Sequence, residues 1–404
     1  MVLNEGTWQP ILVVFRCIFF FNLGLSIYFF FFNLFLTGHG YSEAKLGLLT
    51  STMAAGNLAG ALPAGRFIQK AGLRTALITC LIAAPAVACA RSLSPLFPLQ
   101  AVLAFAAGLA FSLWTVCVSP MIAASTSERE RPIGFSLFFS LGVGVGALGG
   151  LAGSRMPVWF SHLPMLTGWL GADQLTLIAA CCIAGIALIP CLALPHTNAP
   201  HSERPRLFSS SDLRRFLPAV AIWGLVTGSF SPFANVFLAV HLRLPLTKVG
   251  TVFALSQLFQ VAAVLCAPVL FRRLGIARGV FAAQIATASC FFVLALSTGS
   301  MPASVTFIAL TGAQYMSEPG IYSLLMGIVP KELRAGASAS MTLVLAVTQL
   351  IAAASAGWAF TNLGYPRALG IIALFAITAG ILFNTVARPA ARSLIPGTVE
   401  SQAD

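Results

Sequence analysis

KLGLLTSTMAAGNLAGALPAGRFIQKAG, residues 45–72, is answered 203 positions later by KVGTVFALSQLFQVAAVLCAPVLFRRLG, residues 248–275. Lys45, Gly47, Lys70 and Gly72 return as Lys248, Gly250, Arg273 and Gly275. In each copy a lysine and a glycine open an apolar stretch, and basic residues with a glycine close it. A flanked element repeated at a fixed offset implies duplicated architecture, where a single matched pair would carry little. Asn33, Phe35 and Leu36 return as Asn235, Phe237 and Leu238 at an offset of 202, which one inserted residue in the following loop explains.

Composition bounds the class. With 58% hydrophobic and 8% charged residues among 404, the chain cannot build a water-soluble surface and reads as an integral membrane protein. Crossing about 30 Å of hydrocarbon at about 1.5 Å per residue takes roughly 20 apolar residues. Twelve such runs are expected, near 11–36, 46–66, 73–92, 97–120, 133–153, 174–194, 216–240, 249–271, 279–299, 303–329, 337–358 and 366–387. The first run is too long for a signal-peptide core and lacks an A-x-A-like site, so it is expected to be retained.

Basic residues alternate from loop to loop, sixteen on the side of the N-terminus against six on the other, among them Lys45, Arg91 and Arg155. By the positive-inside rule both termini are cytoplasmic. A bacterial inner (plasma) membrane is the expected location. Topology and anionic lipid account for the net charge of +12, leaving no case for nucleic-acid binding. The nine cysteines sit in or at the ends of apolar runs and read as small core residues, and the five histidines lack ligand spacing, so no metal or other cofactor is expected. The Pro-, Ser- and charge-rich segment 195–215 is the expected cytoplasmic linker between two bundles, 1–194 and 216–387, followed by a cytoplasmic tail, 388–404.

The loop segment GRFIQKAGLR, Gly65 to Arg74, is the most specific motif. It resembles the G-x-x-x-D-R-x-G-R-[RK] loop of the major facilitator superfamily. Gly65, Lys70, Gly72 and Arg74 fit, Gln69 stands at the aspartate position and Leu73 at the first arginine after the second glycine. The second copy keeps Arg272, Arg273 and Gly275. The resemblance spans the chain and implies an all-α membrane fold of twelve helices in two pseudo-symmetric six-helix bundles, a transporter rather than an enzyme. The family's helix-4 arginine position holds Ala104. Span 5 carries Gly142, Gly146, Gly149 and Gly150, which are similar to the glycine-rich motif of efflux antiporters without its proline and also suit close helix packing.

Glu318 is the one acidic residue inside an apolar run. A mid-membrane carboxylate costs about 2.5–3.5 kcal/mol on insertion scales, so it is expected to meet water and serve function, here as a proton-coupling group, or else to pin helices by hydrogen bonding. Thr311, Gln314, Tyr315, Glu318 and Tyr322 follow steps of three and four and share one helix face, beside a kink expected at Pro319. In the resembled fold helices 1, 4, 7 and 10 line the central cavity. Its candidate lining is then Asn22, Ser26, Asn33, Trp114, Trp223, Thr227, Asn235, Thr311, Gln314 and Tyr315, a pocket for a small, moderately amphipathic organic solute. Arg16 has a different helical phase and reads as a residue that snorkels to headgroups. Gln257 and Gln260 read as interhelical hydrogen-bonding residues.

These features predict a secondary active transporter working by alternating access, with protons as the coupling partner and membrane lipid as surroundings. Proton-coupled efflux is the leading expectation, uptake of a polar metabolite by proton symport the second, and a non-transporting receptor or assembly factor the reading from another class. One chain holds both halves of the site, so a monomer is expected to suffice.

Overall fold

A computed structural model describes residues 5–126, 131–163, 170–194, 207–208, 211–330 and 333–392. Most of the linker 195–215, the tail beyond Arg392 and the basic residues Arg129, Arg204, Arg206 and Lys331 lie outside the described residues.

Twelve long helices form among the described residues: α1 (Glu5–Gly38), α2 (Glu43–Ala71), α3 (Leu73–Leu93), α4 (Phe97–Ala124), α5 (Arg131–Ser161), α6 (Ala172–Leu192), α7 (Ser211–His241), α8 (Leu246–Leu274), α9 (Ile276–Leu296), α10 (Ser300–Ile328), α11 (Arg334–Leu363) and α12 (Tyr365–Arg392). Ten are long and apolar enough to cross a membrane. The other two, α2 and α10, have 29 residues each, or about 43 Å, so length suffices and polarity sets them apart. In α10 that polarity is the stripe around Glu318. Exposed Leu62, Leu265 and Leu296 face outward, as a lipid solvent permits.

The duplication appears as matched packing. In the first half α1 packs on α5 and α6, α2 on α4, and α3 on α4 and α6; in the second, α7 packs on α11 and α12, α8 on α10, and α9 on α10 and α12. The short turns repeat as well. Gly72 (φ 85°, ψ 160°) ends α2 and Gly275 (φ 80°, ψ 156°) ends α8. Each donates its N–H to a carbonyl four residues back, Ile68 or Phe271, at 2.9 Å. Only glycine adopts this backbone region without strain. Glycine is also what lets α2 and α4 touch, since a Cβ on Gly56 or Gly108 would strike the backbone of the facing helix.

The halves meet along two seams at the end of the bundle away from Glu5, here called the far end. The seams are α2 against α11 and α5 against α8. A Cβ on Gly47 would strike the Ala353 carbonyl, and one on Gly250 would strike Ser154 and the Gly150 carbonyl. The offset of 203 that relates Gly47 to Gly250 also relates Gly150 to Ala353 and Ser154 to Gly357, so the two seams are one contact used twice.

A Cβ at Gly275 meets no atom within 4 Å, so Gly275→Ala isolates the backbone cost. It should lower stability by about 1–3 kcal/mol, seen as a reduced melting temperature in detergent. Helical Gly65, equally free of neighbours, should tolerate alanine with no loss.

Candidate functional site

A cavity of about 590 Å³ lies between the halves, inside the far-end seams. That volume suits a drug-sized organic molecule. Helices α1, α2, α3, α4, α5, α7 and α8 supply its walls. Asn22, Ser26, Phe29 and Asn33 come from one face of α1, and Ser231, Pro232 and Asn235 from the broken part of α7. Pro232 causes that break. The helix tightens to a 3-10 turn at Ser231–Phe233 and widens to a π turn at Phe237–His241.

The break feeds a reciprocal pair of bonds at the cavity's far end. Asn33 Nδ2 donates to the Pro232 carbonyl at 2.7 Å, and Asn235 Nδ2 donates to the Phe30 carbonyl at 2.6 Å. Each asparagine reaches the carbonyl three residues before the other. Further bonds close the same end: Ser51 Oγ to the Leu350 carbonyl (2.5 Å), the Ala44 N–H to Thr361 Oγ1 (2.9 Å), and the Tyr365 hydroxyl to Glu43 Oε1 (3.1 Å).

Of the residues expected to line the cavity, the structure brings together Asn22, Ser26, Asn33 and Asn235. Trp114 turns away and packs on Phe21, ring centroids 4.2 Å apart, within the first half's core. Trp223 is buried in the second half's core, where its Nε1 donates to Glu318 Oε1 at 3.3 Å. Thr227 bonds back to the Trp223 carbonyl and accepts from Gln349 Nε2 at 3.3 Å. Thr311 bonds its own helix at the Ile308 carbonyl, Gln314 is half-buried and Tyr315 is half-exposed; like Glu318, none of the three is among the cavity's lining residues.

Arg91, Thr50, Phe253 and Gln257 line the cavity without having been anticipated there. Arg91 corrects the reading of it as a loop charge. It lies in the last turn of α3, 4% exposed, because Leu77, Leu81, Ala84, Ala88 and Arg91 fall on one buried face. The same three- and four-residue spacing is present in the sequence, whereas the alternation of basic residues between loops carries no information about helix phase. Gln257 lies beside Gly146 on the α5–α8 seam, so the glycines of α5 both admit close packing and leave room for the cavity: Gly149 lies against Ser26, while Gly142, Gly146 and Gly150 line it.

The loop motif sits at the opposite, near end. Lys70, Arg272 and Arg273 are exposed in the last turns of α2 and α8, where cations complement the helix C-terminus. Arg74 donates Nη2 to the Leu192 carbonyl (2.5 Å), tying α3 to the end of α6. Leu73, at the family's arginine position, is fully buried.

The sequence matches the Major Facilitator Superfamily over residues 14–316, and the chain belongs to that family. No curated protein matches it by sequence. Among solved structures it is similar to the nucleoside transporter NupG (13% identity, 94% of this chain, 99% of that one, TM-score 0.75). It is also similar to a bacterial homologue of the human lysosomal transporter Spinster in an inward-facing, unoccupied conformation (12%, 98%, 100%, 0.76), and to a bacterial homologue of the iron transporter ferroportin in an inward-facing state (13%, 96%, 100%, 0.68). The shared fold is that of a multi-pass membrane transporter, not an enzyme.

Cavity access can be read site by site. Asn22→Cys and Gln257→Cys should react with a polar maleimide in the purified protein, whereas Cys80 and Cys117, both 0% exposed, should stay unmodified by mass spectrometry.

Proposed function

We propose that this chain is a secondary active transporter that exports a small organic solute by alternating access, coupled to protons through Glu318, and that it works as a monomer in a bacterial plasma membrane. The observation that carries this reading is a solute-sized cavity between two pseudo-symmetric halves, closed at one end by contacts that occur as symmetry-related pairs. Such contacts break together when one half rocks against the other, which is how repeat-built transporters expose a fixed site to either side. With the termini in the cytoplasm the sealed end faces outward, and this is an inward-facing form. The aromatic lining and glycine-rich α5 favour an amphipathic solute and export.

Glu318 supports coupling by position. Its carboxylate lies between α10 and α7, the one acidic group within a span's apolar interior, and holds Trp223 across that helix pair. Gaining or losing a proton there changes the bond that joins two helices of the moving half.

Two experiments test the reading. In vesicles, Glu318→Gln should abolish pH-gradient-driven accumulation while leaving solute counterflow; full gradient-driven transport by the variant would remove the coupling role. Each far-end amide bond is worth about 0.5–1.5 kcal/mol, so Asn33→Ala with Asn235→Ala should raise labelling of Ser26→Cys from the extracellular side several-fold. Labelling that stays blocked from that side in every variant, with no solute moved, would favour a receptor-like protein.

A further inference from the structure

We propose that the central cavity selects an organic anion and that the guanidinium of Arg91 is the group that binds it. This rests on the reading of the cavity as the solute site.

Among the described residues that line the cavity, Arg91 is the only formally charged side chain; the rest of that lining is amide, hydroxyl, aromatic, thioether or apolar. A cation removed from water is costly unless an anion or a full set of hydrogen bonds compensates it. Among the described residues Arg91 has neither. Its Nε donates to Gln100 Oε1 at 3.1 Å, and Gln100 Nε2 returns a bond to the Arg91 carbonyl (2.5 Å). Phe32 covers one face of the guanidinium, 4.3 Å from ring centroid to Cζ. Among the described residues no carboxylate pairs with it.

What remains is the edge formed by the two terminal nitrogens. Gln100 and Phe32 fix the plane of the group, so that edge is preorganised, and a fixed guanidinium edge is the geometry that takes a carboxylate or phosphate ester through two parallel bonds. The surrounding rings, Phe29 and Phe111 among them, supply apolar surface for the body of the solute. A headgroup of one negative charge on an aromatic or aliphatic body satisfies both features, whereas an organic cation would meet an uncompensated like charge. A lipid phosphate offers the same anionic chemistry as a soluble solute; the cavity's volume of about 590 Å³ and its closure at the far end favour the soluble one.

The test uses the purified full-length chain and matched probes: benzoate and benzamide, hexanoate and hexanamide, 2-naphthoate and 2-naphthamide. Binding is measured by calorimetry in nanodiscs of neutral lipid. The acids should bind about tenfold or more tightly than their amides, as a charge-assisted pair predicts. Arg91→Gln should erase that preference while keeping amide binding, and Arg91→Lys should restore part of it. Gln100→Glu, which offers Arg91 an internal carboxylate, should weaken the acids about tenfold and leave the amides unchanged, and it carries the test should Arg91→Gln not fold. Absence of any acid preference in the wild type, or its survival in Arg91→Gln, overturns the proposal. Displacement of 2-naphthoate by added phosphatidylglycerol would make the occupant a lipid headgroup and overturn it as well. If acids are not preferred while Ser26→Cys is still labelled from alternate sides, only the anion assignment fails; if labelling never alternates, the transporter reading itself fails.

Discussion

Two missing Cβ atoms organise this molecule. At Gly47 and at Gly250 the backbone of one half lies against the backbone of the other, closer than any side chain would permit. Close approach matters more here than in a soluble protein, because lipid supplies no hydrophobic drive for helices to associate and dispersion must supply the attraction. Once those seams close, the helices lead away from each other, and the cavity is the space that remains between them.

The far end is thereby held by many weak contacts in place of one strong latch. Five side-chain hydrogen bonds at about 0.5–1.5 kcal/mol each sum to a few kcal/mol, within reach of the differential binding energy of a solute or a proton. A seam built from bidentate ion pairs would be harder to reopen. The reciprocal asparagines fit the same economy: each satisfies a backbone carbonyl across the interface and leaves no charge exposed when the bond breaks.

Glu318 and Arg91 divide the two kinds of electrostatics in the bundle. Glu318 joins α10 to α7 through Trp223, within the second half, while Arg91 faces the cavity from the first. The two proposed roles, proton coupling and solute recognition, would therefore fall on different halves, joined by the contacts of the two seams. Neither group is paired with an opposite charge among the described residues, so each remains responsive to what enters from outside.

Span length, the repeat at 203 and the glycines that flank it were determined by the sequence alone, because hydrocarbon thickness and backbone satisfaction leave no other folded state for such runs. The return of Asn33 as Asn235 could be read from the sequence, but the bonds their amides make across the two halves could not, because they depend on how the broken α7 meets α1. Tertiary structure decided which way borderline residues turn. Trp114 and Trp223 could face the cavity or the core of a half, and packing against Phe21 and across to Glu318 chose the core. Arg91 stands in the last turn of α3, where one residue of helix phase separates an outward-facing charge from a buried one. Charge counting placed it outside; the packed face of Leu77, Leu81, Ala84 and Ala88 turned it inward, because only a helix's neighbours fix its rotation about its own axis.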